Sequence, residues 1–250
     1  APSGSGRYDV QRELGEGGMG RVLEAIDRQF GRRVAIKELL RDSQALRTRF
    51  HVEAVVTANL EHPGVAPVYE RGCDDSGRPY YAMRLVRGRT LAEAIDEARD
   101  LTARLQLVPV VVRVAQTLAY AHEHGIVHRD VKPANIVVGR HGETVLLDWG
   151  IAKVRGVAAS DALLSDDGAH ESLKAAAATR HGAVIGTPAY MAPEQATGDV
   201  AAIDERTDVF ALGGLLYHVL TGHPPFEGPT MASQIEQALT ASCPPVADRV

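Results

Sequence analysis

His128-Arg129-Asp130-Val131-Lys132-Pro133-Ala134-Asn135 packs a carboxylate, two long cations and an amide into eight residues. The stretch follows Gly125, a natural helix stop, and runs into the apolar pair Ile136-Val137, so it reads as a loop between a helix and a strand. A carboxylate held there can orient a hydroxyl and accept its proton, Lys132 can neutralise charge on a phosphoryl group in transit, and the Asn135 oxygen can ligate a metal. A charged octapeptide on its own is also compatible with a solvated loop. The segments on either side decide between the two readings.

Downstream, Asp148-Trp149-Gly150 closes the apolar run Val145-Leu146-Leu147. A carboxylate emerging at a strand end is the oxygen ligand that a hard cation such as magnesium takes. Gly186-Thr187-Pro188-Ala189-Tyr190-Met191-Ala192-Pro193-Glu194 combines two backbone-restricting prolines with a hydroxyl and an acid, which predicts a rigid platform beside the 128–135 loop. Upstream, Leu14-Gly15-Glu16-Gly17-Gly18-Met19-Gly20-Arg21-Val22 contains Gly-x-Gly-x-x-Gly. Glycines at that spacing let the backbone approach phosphates and donate N–H bonds. The glycines lead into the strand-like Val22-Leu23-Glu24-Ala25-Ile26, which favours a hairpin lid over the strand-turn-helix of a dinucleotide fold. Val34-Ala35-Ile36-Lys37 then leaves an ammonium at the end of an apolar strand, where it needs an anionic partner. The candidate on the next helix is Glu53.

Between these motifs the periodicity changes once. From Tyr8 to about Met83 short β-rich runs, among them Arg33 to Lys37 and Pro79 to Met83, are interrupted by a helical stretch from about Gln44 to Leu60. From Thr90 onward the pattern is mainly helical, with Leu91, Ile95 and Ala98 at helical spacing. A helix begins near Pro109 and runs to His124, its apolar positions at Val112, Ala115, Leu118, Ala119 and His122. Another runs from about Asp204 to Thr221 with Val209, Leu212, Leu216 and Leu220, and a shorter one from Thr230 to Thr240. The stretch 155–182, rich in Ala, Ser, Asp and Gly, reads as a long functional loop.

With 45% apolar residues over 250, the chain can bury one large core or two smaller lobes. Its net charge of −5 is spread without long blocks, so bulk charge points to neither nucleic acid nor an anionic membrane. Cys73 and Cys243 are read as two packed thiols in a reducing compartment. No run reaches the about 18 apolar residues of a membrane span, and Ala1 to Gly6 reads as a flexible leader.

These segments, in this order, resemble the eukaryotic-like serine/threonine protein kinases of bacteria, from about Tyr8 to the end of the chain. The resemblance implies an α+β, two-lobed protein-kinase fold: a small antiparallel-sheet N-lobe with one helix, and a mainly helical C-lobe. Its divisions would be a leader at 1–7, the N-lobe at 8–83, a hinge at 84–88 and the C-lobe at 89–250, with an activation segment at about 148–194. ATP would lie in the cleft under Gly15, Gly17 and Gly20, its adenine between Leu14, Val22, Ala35 and Val137. Met83 would be the gatekeeper and the backbone from Arg84 to Val86 the hinge contact. Lys37 would hold the α- and β-phosphates and pair with Glu53, Asp130 would be the catalytic base, and Asn135 and Asp148 would hold magnesium, with manganese as an alternative. Lys132 and Thr187 resemble the serine/threonine branch and place Thr187 beside Asp130 and Lys132. Arg129 before the base resembles kinases controlled by activation-loop phosphorylation. Thr179 is the first candidate for autophosphorylation, ahead of Ser160, Ser165 and Ser172. The implied partners are ATP and a protein substrate with Ser or Thr, with no nucleic acid and no membrane contact from this segment. The implied location is the cytoplasm, as a free protein or as the cytosolic domain of a larger, membrane-anchored one. Back-to-back pairing of small lobes occurs in the bacterial family, and no residue pattern here demands it.

Two departures stand out. Trp149 occupies a position that is usually Phe, and is expected simply to pack as a bulkier aromatic. Family members also continue with further C-lobe helices carrying an arginine for the residue that matches Glu194, and nothing after Pro244-Pro245 matches it. An incomplete C-lobe is therefore expected, with a buried, unpaired Glu194 costing about 3–5 kcal/mol. Two other readings share part of the pattern. A scaffold that keeps the fold without turnover would have no need of Lys37, Glu53, Asp130, Asn135 and Asp148 together. A small-molecule phosphotransferase of the related two-lobed type should lack the platform from Thr187 to Glu194.

Overall fold

The computed structural model describes residues 6–17, 20–41, 43–150, 152–154 and 186–250. Strands β1 (Tyr8–Glu16), β2 (Gly20–Asp27), β3 (Arg32–Leu39), β4 (Val68–Cys73) and β5 (Pro79–Arg84) form one antiparallel sheet in the order β1-β2-β3-β5-β4. Alternation along β3 sends Val34 and Ile36 to one face, where they pack with Tyr8, Leu23, Ala25, Tyr80 and Ala82. Leu39 goes to the other face and joins Tyr81 with Phe50 and Ala54 of helix α1 (Gln44–Asn59). Lys37, in phase with Leu39, is thereby aimed at α1. Helix α1 starts where Ser43 Oγ accepts the Leu46 N–H at 3.3 Å.

The second lobe opens with β6 (Gly88–Thr90), whose Thr90 and Glu93 form a reciprocal cap on α2 (Leu91–Glu97). It continues through α3 (Leu101–Leu105), α4 (Val108–Glu123), β7 (Ile126–Val127), β8 (Ile136–Gly139), β9 (Thr144–Leu146) and β10 (Lys153–Val154). Beyond residue 186 come α5 (Pro193–Ala196), α6 (Glu205–Thr221) and α7 (Met231–Thr240). Strands β6, β8 and β9 make a small sheet, and β7 pairs with β10. Helices α4 and α6 share one apolar core with the inner side of α1, and Trp149 is part of it.

The helices lie where periodicity predicts them, but two are rotated. Helix α4 turns Val110, Val111, Val114, Thr117, Leu118 and Ala121 inward and leaves Val112 and Ala119 exposed. Helix α6 buries Thr207, Asp208, Ala211, Leu215 and Val219 and leaves Val209 and Leu216 exposed. Both sequences are apolar on more than one side, so pattern alone does not set the phase. In α6 it follows Asp208, which is drawn inward by hydrogen bonds.

Two further expectations change. Cys73 and Cys243 are exposed rather than packed: Cys73 ends the edge strand β4, and Cys243 lies beyond α7. Glu194 is half-buried and accepts the Thr207 hydroxyl at 2.5 Å, so it is not the unpaired buried carboxylate expected. Residues 155–182, with Ser160, Ser165, Ser172 and Thr179, lie outside the described residues. Among the described residues no helix is long and apolar enough to cross a membrane.

Candidate active site

A cleft of about 620 Å³ separates the lobes. Leu14, Gly15, Gly17, Gly20 and Val22 of the β1–β2 hairpin line it from above, with Ala35 and Lys37 of β3 behind. Met83, Arg84 and Val86, on and just past β5, form its inner edge, and Val137 of β8 its floor. The sequence separates these positions by up to 123 residues, from Leu14 to Val137, and the structure brings all of them to one cavity. Gly20 is required by contact: a Cβ there would stand 2.0 Å from the Glu38 carbonyl oxygen.

At the back, Lys37 Nζ is paired with the buried Glu53 carboxylate and lies 3.3 Å from Asp148 Oδ1. Burial works against the lysine's charge, but Glu53 and Asp148 outweigh it and hold its pKa above the ordinary value. Burial likewise opposes ionisation of Asp148, yet Lys37 and His128 carry its pKa below the usual carboxylate range. Tyr81, opposite Lys37 in the β3–β5 register, donates to Glu53 Oε1 at 2.8 Å. Burial and that neighbouring carboxylate push its phenol well up, so it stays a donor.

On the lower lobe the 128–135 loop is held in a closed set of bonds. Lys132 Nζ donates to Asp130 Oδ2 at 2.7 Å and to Thr187 Oγ1 at 2.8 Å, while Thr187 donates to Asp130 Oδ1 at 2.7 Å. Asn135 Nδ2 donates to the Asp130 carbonyl at 2.9 Å. The predicted juxtaposition of Thr187 with Asp130 and Lys132 is therefore present.

Sequence reasoning did not identify what shapes the loop. Asp208, fully buried in the first turns of α6, accepts the backbone N–H groups of His128 and Arg129 and the ring of His122, each at 2.8 Å. Those bonds fix Arg129 at φ 72°, a left-handed conformation uncommon outside glycine. An acid just ahead of the apolar pair Val209-Phe210 near a helix start is the one trace of this in the sequence. The His128 ring is equally constrained: Nδ1 accepts the Asp130 N–H at 3.2 Å, so Nε2 carries the proton that meets the Leu147 carbonyl at 3.1 Å. Burial lowers the pKa of Arg129, with Arg49 adding to the effect and Asp208 opposing it; its Nε has no partner among the described residues.

Asn135 and Asp148 both face the cleft. The Asn135 nitrogen is spent on Asp130, which leaves the amide oxygen without a hydrogen bond among the described residues, and Asp148 is a half-exposed, readily ionised carboxylate. Among the described residues no group of three or more His, Cys, Asp or Glu could hold a metal by itself. Two hard oxygens that need phosphate and water oxygens to complete a shell suit magnesium.

Comparison with known proteins agrees with this geometry. Residues 8–245 match the family model described as protein kinase domain. The chain is 38% identical over 245 residues to serine/threonine-protein kinase PknD of Protochlamydia amoebophila, covering 92% of this chain and 24% of that protein. It is 39% identical over 229 residues to a probable serine/threonine-protein kinase of Streptomyces coelicolor, covering 89% and 31%. Against PknD of Chlamydia muridarum the identity is 36% over 232 residues, covering 86% and 24%. The chain thus spans about a quarter to a third of the length of these relatives.

Proposed function

The chain belongs to the protein kinase domain family, and from that premise we propose that it transfers the γ-phosphoryl group of ATP to serine and threonine hydroxyls of proteins. The observation that carries this reading is the Asp130–Lys132–Thr187 bond set below the cleft, facing the Lys37–Glu53 pair at its back. Asp130 takes the role of base: the substrate hydroxyl loses its proton to this carboxylate as its oxygen bonds to the γ-phosphorus, and the bond from that phosphorus to ADP breaks. Lys132 offsets the negative charge of the group in transit. Lys37, kept charged by Glu53 and Asp148, holds the α- and β-phosphates. The family uses a divalent metal, and we assign it to Asn135 and Asp148. Magnesium, or manganese in its place, would supply charge neutralisation on the phosphate oxygens.

The apolar residues Leu14, Val22, Ala35 and Val137 sandwich the adenine, and Met83 guards the space behind it. Residues 8–83, 84–88 and 89–250 serve as N-lobe, hinge and C-lobe, with the activation segment at about 148–194. The Arg129 Nε, which has no partner among the described residues, supports control by a phosphate on that segment, with Thr179 the proposed acceptor. We place the domain in the cytoplasm, alone or as the cytosolic part of a longer protein. Pairing through the small lobes is compatible with this arrangement.

The test is transfer of labelled phosphate from ATP to a generic protein substrate and to the chain itself, comparing wild type with Asp130→Asn and Lys37→Met. Both variants should lose transfer by at least about a hundredfold while remaining folded. Full activity in folded Asp130→Asn would remove the assignment of the base. Mass spectrometry after incubation with ATP should find phosphate on Thr179, and an unmodified Thr179 in an active preparation would remove that proposal.

A further inference from the structure

Gln195 is a buried amide that takes no part in the bond set around Asp130, yet it lies where three segments of the site meet. It belongs to α5, its Nε2 donates to the Arg129 carbonyl at 2.8 Å, and its Oε1 accepts the Ala192 N–H at 3.2 Å. The Arg129 carbonyl is half of the peptide group that leads into Asp130. The other half, the Asp130 N–H, bonds to His128 Nδ1 at 3.2 Å. That one peptide plane is therefore fixed from both sides, by Gln195 and by His128, immediately before the carboxylate that must meet a hydroxyl. The residue carrying the carbonyl is also the one held at φ 72°, so a restraint there opposes relaxation to an ordinary backbone conformation.

Gly186, the residue before Thr187, packs on the same bond. It stands at φ 129°, and a Cβ on it would lie 3.1 Å from Gln195 Nε2 and 3.3 Å from the Arg129 oxygen. Asp130 and Thr187, bonded to each other at 2.7 Å, are thus each one residue away from the Gln195–Arg129 contact. A side chain at 195 has to donate to a carbonyl oxygen and accept from a backbone N–H. Glutamine does both, glutamate only accepts, and methionine of similar shape does neither.

We infer that Gln195 is a positioning residue for phosphoryl transfer, acting through the Arg129 carbonyl to hold Asp130 and Thr187 in mutual register. The inference rests on the kinase reading of the site. Gln195→Glu keeps the bond inside the platform and loses the one to the catalytic loop, so it separates this role from a merely local structural one. At about pH 8.5 its kcat for a protein substrate should fall about ten- to a hundredfold while the Kd for ATP stays within about twofold. A buried carboxyl facing a carbonyl has a raised pKa, and its acid form can donate again. The ratio of Gln195→Glu to wild-type kcat should therefore climb as the pH is lowered toward about 6, while the ratio for Gln195→Met should stay low throughout. Wild-type kcat in folded Gln195→Glu at the higher pH would overturn the inference. So would a pH-independent ratio in which ATP affinity falls in step with kcat. Amide hydrogen exchange across residues 128–131 provides a readout without activity and should be faster in Gln195→Glu than in wild type. If the wild type transfers no phosphate, the kinase reading fails; exchange in that segment unchanged between wild type and variant would still sink the positioning role.

Discussion

The loop around Asp130 and the glycine-rich hairpin bound the same cleft from opposite sides and are built on opposite terms. In the loop, Asp130, Lys132, Asn135 and Thr187 bond to one another, and the backbone behind them is pinned by Asp208 and Gln195. Along β1 and just past its end, every residue from Gln11 to Gly17 is exposed. Beyond the β1–β2 ladder, the hairpin is tied by the Gly17 N–H to the Gly20 carbonyl at 2.8 Å, and by Arg21, which lies 3.9 Å from Glu13 and 3.0 Å from Glu38. The difference follows the chemistry each side would perform. A base must be aimed before the reaction begins, because reorganising it later adds to the barrier. A cover over nucleotide must open on every cycle, which requires weak local ties.

The largest effect that would break this comparison is at Asp208. Asp208→Ala leaves the N–H groups of His128 and Arg129 buried without acceptors, and should cost about 3–5 kcal/mol in chemical denaturation with transfer abolished. Glu13→Ala on the exposed limb should cost within about 0.5 kcal/mol. Comparable losses in the two variants would show that the hairpin is as constrained as the loop. Next in size is the contrast within the hairpin itself. Gly20→Ala drives a methyl into the Glu38 carbonyl, so stability should fall by about 1–3 kcal/mol and ATP should bind more weakly. Gly17→Ala, whose Cβ would meet only the Gly20 oxygen, at 3.9 Å, among the described residues, should leave stability unchanged. Calorimetry of nucleotide binding to both variants distinguishes a hairpin anchored at its β2 end from one free along its length.

Smaller again is the β4–β5 turn, which asks whether openness belongs to the whole upper lobe. Asp74 Oδ1 accepts Ser76 N–H, the Ser76 hydroxyl and Arg78 N–H at 2.6–2.9 Å, and Arg78 Nε meets Oδ2 at 2.9 Å. Burial opposes ionisation, but these donors prevail and bring the carboxyl to about 2. A folded-state pKa below the unfolded value means stabilisation that is complete above about pH 4, and lost as pH falls toward 2. Asp74→Asn should therefore melt below wild type at neutral pH, with the gap closing over that acid window. A gap that persists in acid would show that the charge is not what holds the turn.

How much of this could be read from the chain depended on the range of the interaction. Helix α1 and the helices over 108–123, 205–221 and 231–240 follow from local periodicity and stops such as Gly125, and all lie within a residue or two of expectation. The motif residues share one cleft because each motif is a contiguous segment with its own chemistry. What was illegible is pairwise and distant: Asp208 lies 79 residues from Arg129 and Gln195 lies 66 from it, while Tyr81 is 28 from Glu53. The rotated faces of α4 and α6 have the same cause, since an apolar run has no preferred side until a distant partner selects one. Glu194 shows the converse error, where an expected long-range partner led to an expectation of strain that a neighbouring hydroxyl removes.

The smallest expected effect is at Trp149, which lies between the two regions and belongs to the rigid one by packing. Its indole is 1% exposed, sits in the main core and meets the His128 ring edge-on with centroids 4.6 Å apart. The Nε1–H has no partner among the described residues, a deficit of about 1–3 kcal/mol for a buried donor. Trp149→Phe removes that donor together with part of a ring. Relief of the unpaired N–H and loss of packing then act in opposite directions, the second being a cavity cost of about 1–3 kcal/mol. The net change should be within about 1 kcal/mol in denaturant midpoint, with transfer within about twofold of wild type. Destabilisation well beyond that would mean that the indole is matched to its site as closely as Asp130 is to its neighbours, and the ordered side of the cleft would then extend up to Asp148. A gain in stability would put the boundary of the rigid region at His128 and leave the 148–150 turn on the yielding side, with the hairpin.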